Sequence, residues 1–148
     1  VVRRLCIIYV IESTNMNIYI NSTKGKDEAI SGLVTLGDFV YVSGQYGQGD
    51  TIDEQTRSAC SQIQKQLDLM KLKMHHVVKT TIYVTDFSLK DRVLKIYQSY
   101  FEAPYPASTV IQVDGLGQGV HVCIEAQAID TTRFERQESK SCDGCQGC

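Results

Sequence analysis

The segment "VHVCIEAQA", residues 120–128, alternates almost without fault. Val120, Val122, Ile124, Ala126 and Ala128 fall on one side of an extended chain, and His121, Cys123, Glu125 and Gln127 on the other. Side chains alternate across a strand, so the pattern predicts a strand with one dry face. Glu125 is thereby held out of the core, on a second face beside a histidine, a thiol and an amide. Whether that face looks at solvent or at a site decides both architecture and chemistry.

Upstream, "MNIYINS" alternates over 16–22, "AISGLVTLG" carries a strand toward Gly37-Asp38, and "FVYVSGQ" carries another over 39–45; two of these are expected to pair as a hairpin. After the loop "YGQGD", Thr51-x-x-Glu54 is a capping box ahead of a long helix, on which Cys60, Ile63, Leu67, Met70 and Met74 recur at spacings of three and four. "VVKTTIYVTD" is β-branched and alternating. Ser88-x-x-Asp91 is then expected to open a second helix with Val93, Ile96, Tyr97, Tyr100 and Phe101 inward, ended by "APYP". "STVIQV" and "VHVCIEAQA" flank "DGLGQG", which imitates a dinucleotide fingerprint but lies between strands and is expected to be a hairpin loop.

This order predicts an α+β domain: a mixed six-stranded sheet with both helices on one face. The opposite face carries Phe39, Tyr41 and Ser43, or Ser108, Val110 and Gln112, depending on register, beside His121, Cys123, Glu125 and Gln127. That mixture is too apolar for open water and too polar for a core, so another subunit is expected to cover it.

At 148 residues the chain suits one domain, divided here into an N-terminal extension (1–15), the domain proper (16–132) and a polar tail (133–148). A net charge of -2 provides no general attraction for nucleic acid or anionic membrane. The apolar run "LCIIYVI" is far shorter than the about 20 residues of a membrane span. Behind "VVRR" it imitates a signal peptide, but no small-x-small cleavage site follows, and it reads as an extra strand or appendage of a cytoplasmic protein. Asn21-Ser22-Thr23 matches a glycosylation sequon, a pattern frequent by chance.

With "YVSGQ", "EQTRSACSQI", "VVKTTIYVTD", "YPAS" and "CIEAQA" in this order, the chain resembles the YjgF/Rid family, the reactive intermediate deaminases, also known as L-PSP endoribonucleases. The resemblance spans about residues 16–128. It implies a chorismate-mutase-like fold and a homotrimer whose intersubunit clefts bind small carboxylate-bearing ligands. Several members hydrolyse enamines and imines, releasing ammonia and a 2-oxo acid. Glu125 matches the family glutamate in "IEA", thought to act on the attacking water, and Ser43 and Gly44 match the cleft's "SG" pair. The family's "PARS" arginine, which clamps the substrate carboxylate, is replaced: "PAST" puts Ser108 there. Ile30 stands where a tyrosine is expected and Val110 where a cysteine is frequent.

A guanidinium holds a carboxylate through two charge-assisted bonds, whereas a serine offers one neutral donor. The loss should weaken a 2-imino acid by roughly tenfold to more than a hundredfold. The resemblance therefore implies an imine or enamine deaminase with altered substrate preference, needing no cofactor. The alternatives are a non-catalytic metabolite-binding or chaperone-like trimer, and the endoribonuclease activity, which the absence of a basic, aromatic-rich groove disfavours.

Metal readings are weaker. His121, Cys123 and Glu125 share a face, but i to i+4 spans about 13 Å along a strand. His75-His76 is expected to complement the dipole at the first helix's C-terminus. The tail "CDGCQGC" sets Cys142, Cys145 and Cys148 at C-x-x-C-x-x-C spacing, half of a metal motif without a fourth ligand.

Overall fold

This computed structural model describes residues 8–13, 16–21, 30–132 and 134–135, with side chains from Ile30 onward. The strands are β1 (Ile8–Ser13), β2 (Met16–Asn21), β3 (Leu33–Leu36), β4 (Phe39–Tyr46), β5 (Val77–Val84), β6 (Ala107–Gln112) and β7 (Val122–Ile129). Two α-helices join them, α1 (Ile52–Leu69) and α2 (Lys90–Gln98). The class is the expected one, α+β with a mixed sheet. That sheet has seven strands in the order β1-β2-β3-β4-β7-β5-β6 rather than six. The added strand is β1, from the β-branched apolar run, antiparallel to β2 with Ile8 opposite Asn21.

β3 and β4 form the expected hairpin, with Gly37 at φ +59 in the turn, a backbone conformation that costs glycine little. The expected hairpin between the last two strands does not form. β7 runs antiparallel between β4 and β5, and β6 lies beyond β5 and parallel to it. A parallel pair needs a crossover, and α2 supplies it. "DGLGQG" must therefore carry the chain past β5 before β7 begins.

The capping box of α1 is present: Glu54 N–H donates to Thr51 Oγ1 at 3.2 Å, and Thr51 N–H to Glu54 Oε2 at 3.0 Å. Ala59, Cys60, Ile63 and Leu67 of α1 pack into a core with Val40, Val42, Ile82, Val122, Ile124 and Ala126. Each fully buried large side chain contributes roughly 1.5 to 3 kcal/mol of transfer free energy. The helix stops earlier than its apolar spacing suggests. Lys71 adopts φ +60, and the Leu72 N–H turns back to the Leu67 carbonyl at 3.0 Å. Met74 and the two histidines consequently lie outside α1, in a separate 3-10 turn (Met74–His76). His75-His76 is thus no C-terminal cap for that helix.

The second helix also starts differently. Asp86, not Ser88, is the cap: its Oδ1 accepts from the Ser88 N–H at 2.9 Å and opens a 3-10 turn that runs into α2. An aspartate immediately after a strand is in place to bond locally before a serine further on can. Val93, Ile96 and Tyr97 are buried as expected, while Tyr100 and Phe101 pack on the core from beyond the helix.

The register decides which side chains share the sheet face away from the helices. Ser108 pairs with buried Thr80 and Val110 with buried Ile82, so this set of β6 looks toward the helices. Phe39, Tyr41 and Ser43 are the set that joins Glu125 and Gln127 on the open face, and Phe39 and Tyr41 are 54% and 43% exposed there. No helix among the described residues is long and apolar enough to cross a membrane.

Candidate functional site

The pairing of β4 with β7 is regular up to Val42 opposite Ala126 and resumes at Gln45 opposite Ile124. Two residues, Ser43 and Gly44, therefore face one, Glu125. This is a β-bulge, a device that re-aims side chains at a sheet's working region. Ser43 is pinned there: its Oγ donates to the Ser31 carbonyl, its N–H donates to the Gly32 carbonyl at 3.0 Å, and its own carbonyl accepts from Gln45 Nε2 at 2.7 Å. Gly44 has no room for a side chain, because a Cβ would lie 2.8 Å from Cys123 Sγ.

Glu125 is half-buried, and Tyr83 Oη donates to its Oε1 at 3.1 Å. Burial first, and the neighbouring Glu125 carboxylate second, hold the Tyr83 phenol above its ordinary pKa, so it remains a donor. Cys123, next along the same face, is buried, and its thiol is pushed up to about 11 by burial and then by Glu125. It is a packed thiol rather than a nucleophile.

Two hollows open on the bulge. One, about 240 Å³, is lined by Tyr41, Ser43, Lys79, Thr81, Glu125 and Gln127 among others; the second, about 260 Å³, by Ile30, Ser31, Gly32, Ser43, Gly44, Gln45, Tyr46, Gln48 and Gln62. Both lie below the roughly 300 to 1,000 Å³ of drug-sized sites, which suits a small metabolite. Ser43 borders both. Ile30, Ser43 and Gly44 thus converge, and Glu125 meets Ser43 in the neighbouring hollow.

Ser108 and Val110 stay apart from that group within one chain. Ser108 Oγ sits 2.9 Å from Thr80 Oγ1 and 2.9 Å from Tyr97 Oη, and it donates to the Pro106 carbonyl at 3.1 Å; Val110 packs on the core. His121 is occupied by Thr85 Oγ1 at 2.8 Å from Nδ1. Cys142, Cys145 and Cys148, and Ser22 and Thr23 of the sequon, lie outside the described residues.

Sequence reasoning missed Tyr83, Lys79 and Gln55. The first two lie on β5 at alternating positions, and only the β5–β7 register brings them beside Glu125 and Gln127. Gln55, 1% exposed on α1, donates to the carbonyls of Gly49 (3.0 Å) and Gly119 (2.8 Å) and accepts from the His121 N–H (2.7 Å). It ties the loops before α1 and before β7 together. A glutamine directly after a capping box was the available signal, but it carries no spacing that points across the chain.

Residues 27–130 match the family described as Endoribonuclease L-PSP. The human 2-iminobutanoate/2-iminopropanoate deaminase is 31% identical over 107 residues, which is 67% of this chain and 78% of that protein. The chain belongs to the YjgF/Rid family. A solved YjgF/YER057c/UK114-family protein of Mycobacterium tuberculosis superposes with a TM-score of 0.70 at 33% identity, covering 74% of this chain and 97% of that one. RidA from an Antarctic Psychrobacter gives 0.67 at 25% identity, with 71% and 91% covered. The YjgF/Rid match takes in β3 through β7, both helices and the Ser43–Gly44 bulge.

Proposed function

We propose that this YjgF/Rid-family chain hydrolyses small imines or enamines in a cleft completed by a second copy of itself, within a homotrimer. The observation that carries the reading is the half-buried Glu125 carboxylate facing the Ser43–Gly44 bulge, with a hollow on either side of Ser43. In the reaction Glu125 takes a proton from water as the oxygen adds to the imine carbon and passes it to nitrogen, giving a carbinolamine; it then takes the hydroxyl proton and delivers it to nitrogen as the C–N bond breaks, leaving a carbonyl product and ammonia. Tyr83 orients the carboxylate. The relatives named as 2-iminobutanoate/2-iminopropanoate deaminases support this chemistry. The exposed Phe39 and Tyr41 on the open face support a covering copy.

Ser108 in place of an arginine shifts preference away from carboxylate-bearing imines toward neutral ones. One observation favours a second reading, a trimer that binds metabolites without turning them over: the Ser108 hydroxyl is already engaged by Thr80 and Tyr97.

The test is hydrolysis of imines generated in situ by an amino-acid oxidase, with wild type, Glu125→Ala and Ser108→Arg compared and mass measured by light scattering. Turnover by a trimer that disappears in Glu125→Ala is the expected result. An inert wild type revived by Ser108→Arg keeps the cleft and moves the natural substrate elsewhere. Three inert proteins that still bind small metabolites favour the second reading, and a monomer removes the shared cleft.

A further inference from the structure

We propose that His75, His76 and Glu135 form a binding site for one zinc ion, which fastens the segment after β7 to the turn that leads into β5. The donor atoms all lie within 4.8 Å of one another. His76 Nε2 is 3.2 Å from Glu135 Oε1, and His75 Nε2 is 3.8 Å from the same oxygen. Tetrahedral zinc with bonds of about 2.0 to 2.1 Å holds neighbouring ligand atoms about 3.3 Å apart. The His76–Glu135 edge at 3.2 Å has that spacing, and the others would close by small side-chain rotations of exposed His75 and Glu135.

The independent pointer to a ligand is His76. It is 4% exposed, and its Nε2, 3.2 Å from Glu135 Oε1, makes no hydrogen bond of normal geometry among the described residues. A buried ring nitrogen left in this way has given up its water without a replacement unless something else occupies it. A plain ion pair would engage one imidazole. Here two rings, 4.1 Å apart and tilted by 31°, turn toward one carboxylate oxygen.

The surroundings fit a metal ligand set. The Lys73 N–H donates to His76 Nδ1 at 2.9 Å, and the Lys73 carbonyl lies 3.2 Å from the same nitrogen. Binding zinc through Nε2 requires the proton on Nδ1, so uptake of the ion exchanges the bond from the Lys73 N–H for one donated to the Lys73 carbonyl, the usual support of a zinc-bound histidine. Thr131 Oγ1 donates to Glu135 Oε1 at 2.6 Å and holds the carboxylate in place. His75 and Glu135 side chains are 63% and 50% exposed, which leaves an approach for the ion and a fourth position for water. Two imidazoles and a carboxylate match zinc; calcium and magnesium prefer oxygen throughout.

The test uses chelator-stripped full-length protein in which Cys142, Cys145 and Cys148 are changed to Ser, so that tail thiols take no metal. Calorimetric titration with zinc chloride near neutral pH is expected to give one ion per chain, weakened about tenfold or more by His75→Ala and by Glu135→Ala. Both variants alter exposed side chains, so the fold should survive. Cobalt in place of zinc should give ligand-field bands without thiolate charge transfer, a signature independent of variant stability. Absence of zinc binding, unchanged affinity in both variants, or a thiolate spectrum would overturn the proposal.

Discussion

The phenol of Tyr83 on β5 reaches diagonally across to Glu125 on β7, donating at 3.1 Å, although Tyr83 is directly opposite Cys123 in the register. Diagonal pairs of this kind are within reach of long aromatic side chains. The contact fixes one oxygen of the only carboxylate that borders the 240 Å³ hollow among the described residues.

A hydrogen bond to a charged acceptor contributes roughly 1.5 to 3 kcal/mol, so Tyr83→Phe should lower kcat for imine hydrolysis about tenfold or more, with KM changing less than about twofold. Steady-state kinetics on one imine checks this. A rise in KM at constant kcat would mean that Tyr83 binds substrate rather than positioning Glu125.

Gly44→Ala should destabilise by about 1 to 3 kcal/mol, because the new Cβ would press on the buried Cys123 sulfur. Removing that sulfur with Cys123→Ala in the same chain should recover most of the loss. Urea denaturation of the two single variants and the double variant measures the coupling; additive costs would place the strain elsewhere.

Gln55→Leu leaves the Gly49 and Gly119 carbonyls and the His121 N–H without their partner, and should cost at least about 2 kcal/mol. The accompanying sign is faster hydrogen exchange at the His121 amide. Unchanged exchange would show that the two loops hold together without Gln55.

Burial pushes the Cys60 thiol up to about 12 and burial, then Glu125, pushes Cys123 up to about 11. Native protein treated with iodoacetamide at mildly alkaline pH should leave both unmodified, as read by peptide mass mapping, while urea-unfolded protein is labelled at both. The linkage follows in sign. The unfolded thiols give up protons first, from their ordinary value of 9.0, so this contribution to stability is complete below 9.0 and declines as pH rises toward about 11 for Cys123. Rapid labelling of Cys123 in the folded protein would contradict its buried, protonated state.

Much of the local structure was legible. The period of two in "VHVCIEAQA" correctly assigned Val122, Ile124, Ala126 and Ala128 to the core and Cys123, Glu125 and Gln127 to the other face. Thr51 and Glu54 announced α1 because both halves of a capping box lie within one turn. The Asp86 cap escaped because two neighbouring side chains competed for the same start, and the early end of α1 because a left-handed lysine carries no sequence signal.

Sequence alone determined the strand and helix types, the dry face of each element and the presence of Glu125 on the other, since these rest on contacts within a few residues. Tertiary structure decided the rest: that β7 enters between β4 and β5, that Tyr83 and Lys79 thereby meet the Glu125 face, that Ser108 turns toward Thr80 and Tyr97, and that His75 and His76 meet Glu135. Those relations join residues far apart in the chain, and a periodicity repeats the same way whichever neighbour a strand finally pairs with.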